Sequence, residues 1–104
     1  MARNFIDTAI AENPVMVFSK SWCPSCAKAK RALRALLDPS KFTVLEIEDR
    51  PDCGELQNEL ASITGARTVP RVFIGGQCIG GGDETAQMLA SGELKKALVS
   101  VGAL

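Results

Sequence analysis

The hydrophobic pattern changes period at one point of the chain, just before a pair of cysteines. Four consecutive apolar residues, Val15 to Phe18, are typical of a strand buried on both faces. From Cys26 onward the apolar positions recur at helical spacing, while lysines and arginines lie mostly on the other face. Pro24 suits the first position of this helix, because its missing N–H costs nothing there and its φ is already helical. The pattern therefore predicts a strand, a short turn and a helix with Cys23 as its N-cap.

The rest of the pattern extends this unit into an alternating series of helices and strands. It predicts, in order, a helix at 3–12, the first strand, the cysteine helix to about Leu37, a strand at 42–47, a helix from about Pro51 to Gly65, strands at 72–74 and 77–79 joined by Gly75-Gly76, a helix with Asp83 as its N-cap, and a last helix from Glu93 to Val99. The order αβαβαββα(α) contains a right-handed βαβ unit and indicates an α/β fold. We expect residues 1–104 to form a single domain, because a chain of this length supports one core.

Composition excludes several classes of function. Twelve basic and twelve acidic residues cancel, so no charge excess suggests nucleic acid as a partner. No apolar run is long enough for a membrane span, and no signal-peptide core is visible, so we expect a cytoplasmic, reducing location. The chain has four cysteines and no histidine, which excludes a Cys–His hydrolase and leaves a zinc ribbon without its second ligand pair. Cys53 and Cys78 stand alone; the first is inert or a regulatory thiol, and the second is expected in the core.

Cys23 and Cys26 are the one closely spaced pair, and the predicted helix makes them unequal. A sulfur at the N-cap faces the unpaired amides of Ser25 and Cys26 and the positive end of the helix dipole, both of which favour the thiolate. Lys20 can add positive charge. Cys26 lies on the apolar face and is expected to be more buried and less ionised. Cys23 is thus predicted to attack disulfides and Cys26 to resolve the product; half a zinc site or two packed thiols are the alternatives.

Four blocks of sequence together resemble a dithiol glutaredoxin over essentially the whole chain. They are Trp22-Cys23-Pro24-Ser25-Cys26, Thr64-Gly65-Ala66-Arg67-Thr68-Val69-Pro70-Arg71-Val72-Phe73-Ile74, Ile79-Gly80-Gly81 with Asp83, and Met88 with Ser91-Gly92-Glu93-Leu94. The resemblance implies a thioredoxin-like (glutaredoxin) fold, a four-stranded mixed β-sheet flanked by about five helices. It also implies a thioltransferase that works as a monomer without a metal, with glutathione as co-substrate and glutathionylated or disulfide-bonded proteins as partners.

The resemblance further implies a glutathione site drawn from several parts of the chain. The cations Lys20 and Arg67 and the amide of Gln57 would hold the glycine carboxylate. The γ-glutamyl part would bind where glycines let the backbone come close and a carboxylate meets the ammonium, at Gly81, Gly82 and Asp83. Between these ends, Thr68 and Val69 would bracket the cysteinyl part, Pro70 would follow a cis peptide bond, and Trp22 and Pro24 would flank the nucleophile.

Two positions depart from the commonest family pattern. Ser25 stands where a tyrosine is usual, and Gly82 where a larger residue or a cysteine is frequent. One alternative function is a [2Fe–2S] cluster held between two copies by Cys23 and two glutathiones. Pro24 counts against that alternative, since cluster-binding relatives have a more flexible residue there, whereas the small Ser25 counts slightly for it. A third possibility is thioredoxin-like reduction by a flavoenzyme instead of glutathione.

Overall fold

The computed structural model describes residues 2–104 and has the predicted elements in the predicted order. The helices are α1 (Ala2–Glu12), α2 (Pro24–Arg34), α3 (Cys53–Thr64), α4 (Gly82–Ser91) and α5 (Glu93–Ser100), and the strands are β1 (Val15–Ser19), β2 (Thr43–Glu46), β3 (Arg71–Ile74) and β4 (Gln77–Gly80). The strands form one sheet in the order β2-β1-β3-β4, with β1 parallel to β2 and the other pairs antiparallel. The predicted α/β fold with a four-stranded mixed sheet and five helices is confirmed. Within the described part of the chain, none of the helices has the length and hydrophobicity to cross a membrane.

The central position of β1 explains its continuous apolar run. All five of its residues are buried. Val15 and Val17 belong to a core cluster against α2 and α5, whereas Met16 and Phe18 belong to a second cluster against α1 and α3. Because helices cover both faces of the sheet, neither face of β1 meets water and the sequence does not alternate. β1 ends at Ser19, and a three-residue turn leads from there to Cys23.

The end of α2 differs from the prediction. The helix ends at Arg34, three residues before Leu37, and a 3₁₀ turn follows at Pro39–Lys41. Leu37 is buried in the core, which explains why it fits the apolar pattern of the helix. Its backbone, however, lies in the turn after α2. The spacing of apolar residues therefore overestimated the helix by one turn.

The start of α4 also differs from the prediction, and the assignment of Asp83 as its N-cap was wrong. The N-cap is Gly81, which puts Asp83 in the first turn of the helix. Glu84 explains the shift, because its Oε1 accepts a hydrogen bond from the N–H of Gly81 at 2.6 Å. A side chain at the third helical position thus satisfies the N-cap amide, as in a capping box.

The predicted turn between β3 and β4 is present and passes through Gly75 and Gly76. Their φ angles are +60° and +82°, in the left-handed region that a two-residue hairpin turn requires. A Cβ at Gly75 would lie 2.6 Å from Cγ1 of Val101, whereas one at Gly76 would meet nothing within 4 Å. Gly75 is therefore constrained by backbone angle and by packing, and Gly76 by backbone angle alone.

This difference predicts unequal costs for two matched substitutions. Gly76→Ala should lower the free energy of unfolding by about 1 kcal/mol, the cost of a left-handed alanine. Gly75→Ala should cost more, about 2 kcal/mol, because Val101 must also move. Urea denaturation of both variants measures the two values, and equal losses would show that the hairpin does not pack on Val101.

Candidate active site

Cys23 occupies the predicted place at the start of α2. Its backbone is extended, with φ −85° and ψ 123°, and Pro24 is the first helical residue. The sulfur is partly exposed and makes no capping hydrogen bond; its thiol instead donates to the carbonyl oxygen of Val69 at an S···O distance of 3.8 Å. A thiolate has no proton to give to that carbonyl, so ionisation favours the helix amides as its partners.

The surroundings of Cys23 favour its ionised form. Partial burial raises the pKa of the thiol, but the N–H and the thiol of Cys26, the N–H of Ser25 and the charge of Lys20 together outweigh this effect. The pKa of Cys23 is therefore lowered. The amides of the first turn supply much of the effect, because they have no carbonyl partners within the helix.

Cys26 has the opposite character. Its side chain is fully buried, and its sulfur accepts a hydrogen bond from the N–H of Lys20 at 3.4 Å. Burial raises the pKa of Cys26, and this outweighs the lowering by the Lys20 N–H and the Ser19 hydroxyl. The neighbouring Cys23 raises it further. The pair thus consists of an accessible thiol that ionises readily and a buried thiol that holds its proton.

The loop before β3 lies against Cys23. The Val69–Pro70 peptide bond is cis, as the resemblance implied, and Pro70 is buried while Thr68 is exposed. The carbonyl of Val69 contacts the sulfur, and the carbonyl of Pro70 accepts a hydrogen bond from Nε of Arg71 at 2.9 Å. The loop therefore presents its backbone at the edge of the reactive sulfur.

A groove next to Cys23 runs between this loop and the start of α4. Its volume of about 370 Å³ is within the range of small-molecule sites. Its lining combines backbone with polar and charged side chains and comprises Ser25, Thr68, Val69, Pro70, Arg71, Gly81, Gly82, Asp83 and Glu84. Six of the eleven residues predicted to bind glutathione are among these, drawn from the cis-proline loop and from α4.

Gly82 sets how closely α4 approaches α2. A Cβ at this position would overlap the carbonyl oxygen of Ser25 and lie 3.1 Å from its carbonyl carbon. With glycine there, the first turns of the two helices meet, and the N-terminus of α4 reaches the groove. The departure from the family pattern at Gly82 thus has a steric reason in this chain.

Lys20 and Trp22 precede Cys23 in the chain. The Trp22 side chain is 69% exposed, so it is a surface residue and not part of the core. The Nζ of Lys20 lies 5.6 Å from the centroid of its ring, at cation–π distance. Both residues belong to the segment between β1 and α2 that leads to Cys23.

Gln57 and Arg67 are joined to each other. The amide nitrogen of Gln57 donates to the carbonyl of Arg67 at 3.1 Å, and its oxygen lies 3.6 Å from the Cys53 sulfur. Gln57 is buried, so its observed contacts support the loop that carries Arg67. The exposed guanidinium of Arg67 is held by Asn58, whose side-chain oxygen lies 2.9 Å from Nε.

Three features around the site were missed in the sequence. The Nζ of Lys28 lies 2.7 Å from Oδ1 of Asp83, linking α2 to α4. Arg71 lines the groove as an additional cation. Glu48 accepts hydrogen bonds from the hydroxyl and the N–H of Ser21, and these lower the pKa of its carboxyl. The sequence showed positive residues on the exposed face of α2, but it could not show which residues of other elements they pair with.

Comparison with known proteins agrees with this geometry. The profile of the Glutaredoxin family matches residues 15–79. The chain is 45% identical over 104 residues to "Glutaredoxin-C4, chloroplastic" of Oryza sativa subsp. japonica, covering all of this chain and 77% of that one. Its structure is similar to that of oxidized glutaredoxin 2 from Chlamydomonas reinhardtii, with a TM-score of 0.96 and 50% identity over 99% of this chain and 95% of that one. It is also similar to the buckwheat glutaredoxin–glutathione complex, with a TM-score of 0.92 and 35% identity over 100% and 93% of the two chains. The chain therefore belongs to the glutaredoxin family, whose chemistry is thiol–disulfide oxidoreduction.

Proposed function

We propose that this chain is a glutathione-dependent thioltransferase that reduces protein–glutathione mixed disulfides and protein disulfides. The observation that carries the proposal is an accessible Cys23 thiol of lowered pKa at the edge of a groove. The thiolate is the nucleophile in disulfide exchange, and such a sulfur is more ionised at neutral pH than an ordinary cysteine. The buckwheat relative, described as a complex with glutathione, supports glutathione as the ligand.

The groove matches the γ-glutamyl end of glutathione, which carries one carboxylate and one ammonium. We assign the carboxylate to the start of α4, where the helix N-terminus and the bare backbone of Gly81 and Gly82 favour an anion. Asp83 would take the ammonium. Since Lys28 already pairs with Asp83 at 2.7 Å, the ammonium must share or replace that partner.

The remaining parts of glutathione are assigned along the same line of residues. Val69 would pair its backbone with the extended cysteinyl part, as a strand edge pairs with a peptide, and Thr68 would lie beside it. The glycine carboxylate would extend toward Lys20 and Arg67. Gln57 would act through its contact with the Arg67 carbonyl, by keeping that loop in place.

The reaction with a glutathionylated protein needs only Cys23. Its thiolate attacks the glutathione sulfur, a new Cys23–glutathione disulfide forms, and the protein leaves as a thiolate that takes up a proton. A second glutathione thiolate then attacks the bound glutathione sulfur, releasing glutathione disulfide and the Cys23 thiolate. The amides at the start of α2 and the charge of Lys20 stabilise the sulfur anion at the beginning and at the end of the cycle.

A protein disulfide needs both cysteines. Cys23 attacks first and forms a mixed disulfide with the protein. Cys26 then loses its proton, attacks the Cys23 sulfur and releases the second protein thiolate, leaving a Cys23–Cys26 disulfide for glutathione to reduce. Burial keeps Cys26 protonated until this step, which limits its competition with Cys23 as the first nucleophile.

Cluster binding is the second candidate, and we do not put it first. Among residues 2–104, no group of three or more His, Cys, Asp or Glu side chains could hold a metal ion within one chain. A [2Fe–2S] cluster would therefore need Cys23 from two copies together with two glutathiones. Anaerobic purification with glutathione separates the two functions, because a cluster gives a coloured dimer.

We propose that the chain works as a single-domain monomer in the cytoplasm. The reaction as written uses one copy of the site and requires only a supply of reduced glutathione. The rice relative is named as chloroplastic, so a plastid is the alternative compartment for the same chemistry.

The division of labour between the cysteines predicts unequal effects of two substitutions. Cys23→Ser should abolish reduction of a glutathionylated peptide, a loss of more than about 10³-fold, because no nucleophile remains. Cys26→Ser should retain most of that activity but lose reduction of protein disulfides. A coupled assay that follows glutathione disulfide measures both, and equal loss in the two variants would contradict the proposed roles.

The assignment of the glycine carboxylate predicts a selective effect of Arg67→Ala. Removing an exposed cation should raise KM for a glutathionylated peptide about fivefold, the weight of one charge-assisted contact near the surface, and leave kcat nearly unchanged. Lys95→Ala is the matched control, since Lys95 is an exposed cation on α5. An unchanged KM in Arg67→Ala, or the same rise in Lys95→Ala, would remove Arg67 from the site.

A further inference from the structure

Ser19 is buried next to the cysteine pair, and neither half of the proposed reaction uses it. Its side chain is 0% exposed, and its hydroxyl oxygen has no hydrogen-bond partner within residues 2–104. A buried hydroxyl without a partner carries a desolvation cost, which makes such a group unusual. A second unpartnered atom, Oε1 of Glu46, belongs to the residue paired with Ser19 across β1 and β2.

The position of Ser19 directs its hydroxyl toward α2. Side chains alternate along a strand, so Ser19 shares a face of the sheet with Val15 and Val17. That face packs against Ala29 and Leu33 of α2, on the same apolar side of the helix as Cys26. Consistent with this placement, the Ser19 hydroxyl acts on Cys26 and lowers its pKa.

We propose that Ser19 is a positioning residue for Cys26: its hydroxyl donates a hydrogen bond to the Cys26 sulfur whenever that sulfur is a thiolate. The N–H of Lys20, 3.4 Å from the sulfur, is the first donor to that anion, and Ser19 supplies the second. The inference rests on the proposed role of Cys26 as the resolving thiol. It adds a residue that controls the rate of that step alone.

The hydroxyl acts in both directions of the disulfide step without being consumed. In ring closure the Cys26 thiol gives its proton to solvent, its thiolate attacks Cys23, the Cys23–Cys26 bond forms, and the bond from Cys23 to its substrate breaks. The substrate leaves as a thiolate and is protonated. In the reverse direction a glutathione thiolate attacks Cys23, and Cys26 leaves as the thiolate that Ser19 and Lys20 receive.

Two charged pairs lie on the elements around Cys26, and Oε1 of Glu46 stays without a partner within residues 2–104. The Lys30 ammonium of α2 lies 2.5 Å from Oε2 of Glu46 in β2. Lys28 of α2 pairs with Asp83 of α4, and Glu84 accepts a hydrogen bond from the N–H of Gly81. Cys23 itself is the remaining titrating neighbour, and it disfavours a second anion at Cys26. The Ser19 hydroxyl is a neutral donor, so it can stabilise the Cys26 anion alongside the Lys20 N–H without adding a charge.

Ser19→Ala tests the inference in a reaction that separates the two steps. Reduced protein is mixed with excess oxidised glutathione, quenched with acid at set times and analysed by mass spectrometry, which resolves the Cys23–glutathione adduct from the closed disulfide. We expect adduct formation to be unchanged and ring closure to slow about tenfold at pH 7, since hydrogen bonds to charged groups are the stronger class. The deficit should disappear at high pH, where Cys26 is fully ionised in both proteins.

The controls distinguish a role in chemistry from a role in folding. Because the hydroxyl has no partner in the fold, Ser19→Ala should keep or slightly raise the thermal midpoint. Ser40→Ala, an exposed serine, should leave both steps unchanged. Ring closure in Ser19→Ala at the wild-type rate and with the wild-type pH profile would overturn the inference alone. If the wild-type protein, like Cys26→Ser, forms no Cys23–Cys26 disulfide, the proposed function is overturned together with the inference.

Discussion

The unpaired amides at the start of α2 act on one sulfur atom, and the rest of the site depends on that contact. The position of Cys23 follows from its neighbours on both sides, because β1 is buried at the centre of the sheet and Pro24 begins the helix. The same helix carries Cys26 one turn further along, into the core. One structural unit therefore makes one thiol ionisable and the other protonated, and the proposed division of attack and resolution rests on this difference.

Features encoded within a few consecutive residues could be predicted from the sequence. The apolar run from Val15 to Phe18 predicted the buried strand. Cys23 followed by proline predicted the start of the helix. Gly75-Gly76 predicted the hairpin turn, since only glycine freely adopts the positive φ angles that the turn has. Each is decided by local backbone preference or by burial pattern, so tertiary contacts could strengthen but not change it. The element order and the parallel pairing of β1 with β2 followed from these local features and from the handedness of βαβ units, whereas the four-stranded mixed sheet was implied by the family resemblance.

Features that depend on distant residues could not be predicted. The pairing of Lys28 with Asp83 and the contact of Gly82 with Ser25 join α2 to α4, more than 50 residues apart along the chain. Asp83 itself was assigned to the wrong helical position, because the helix starts earlier, with Glu84 accepting a hydrogen bond from the N–H of the N-cap Gly81. The resemblance to a family suggested site residues by their positions in the sequence, but it could not give a hydrogen-bond partner or a steric reason for any of them.

The pH dependence of Cys23 alkylation tests the central claim most directly. Iodoacetamide reacts with the thiolate, so its rate at Cys23, followed by peptide mass spectrometry in folded and in urea-denatured protein, reports the pKa of the thiol in each state. We predict a midpoint in the folded protein below the usual cysteine value of about 8.5 and a return to about that value on denaturation, when the helix amides are lost. The same midpoint in both states would show that the start of α2 does not stabilise the anion and would contradict the account.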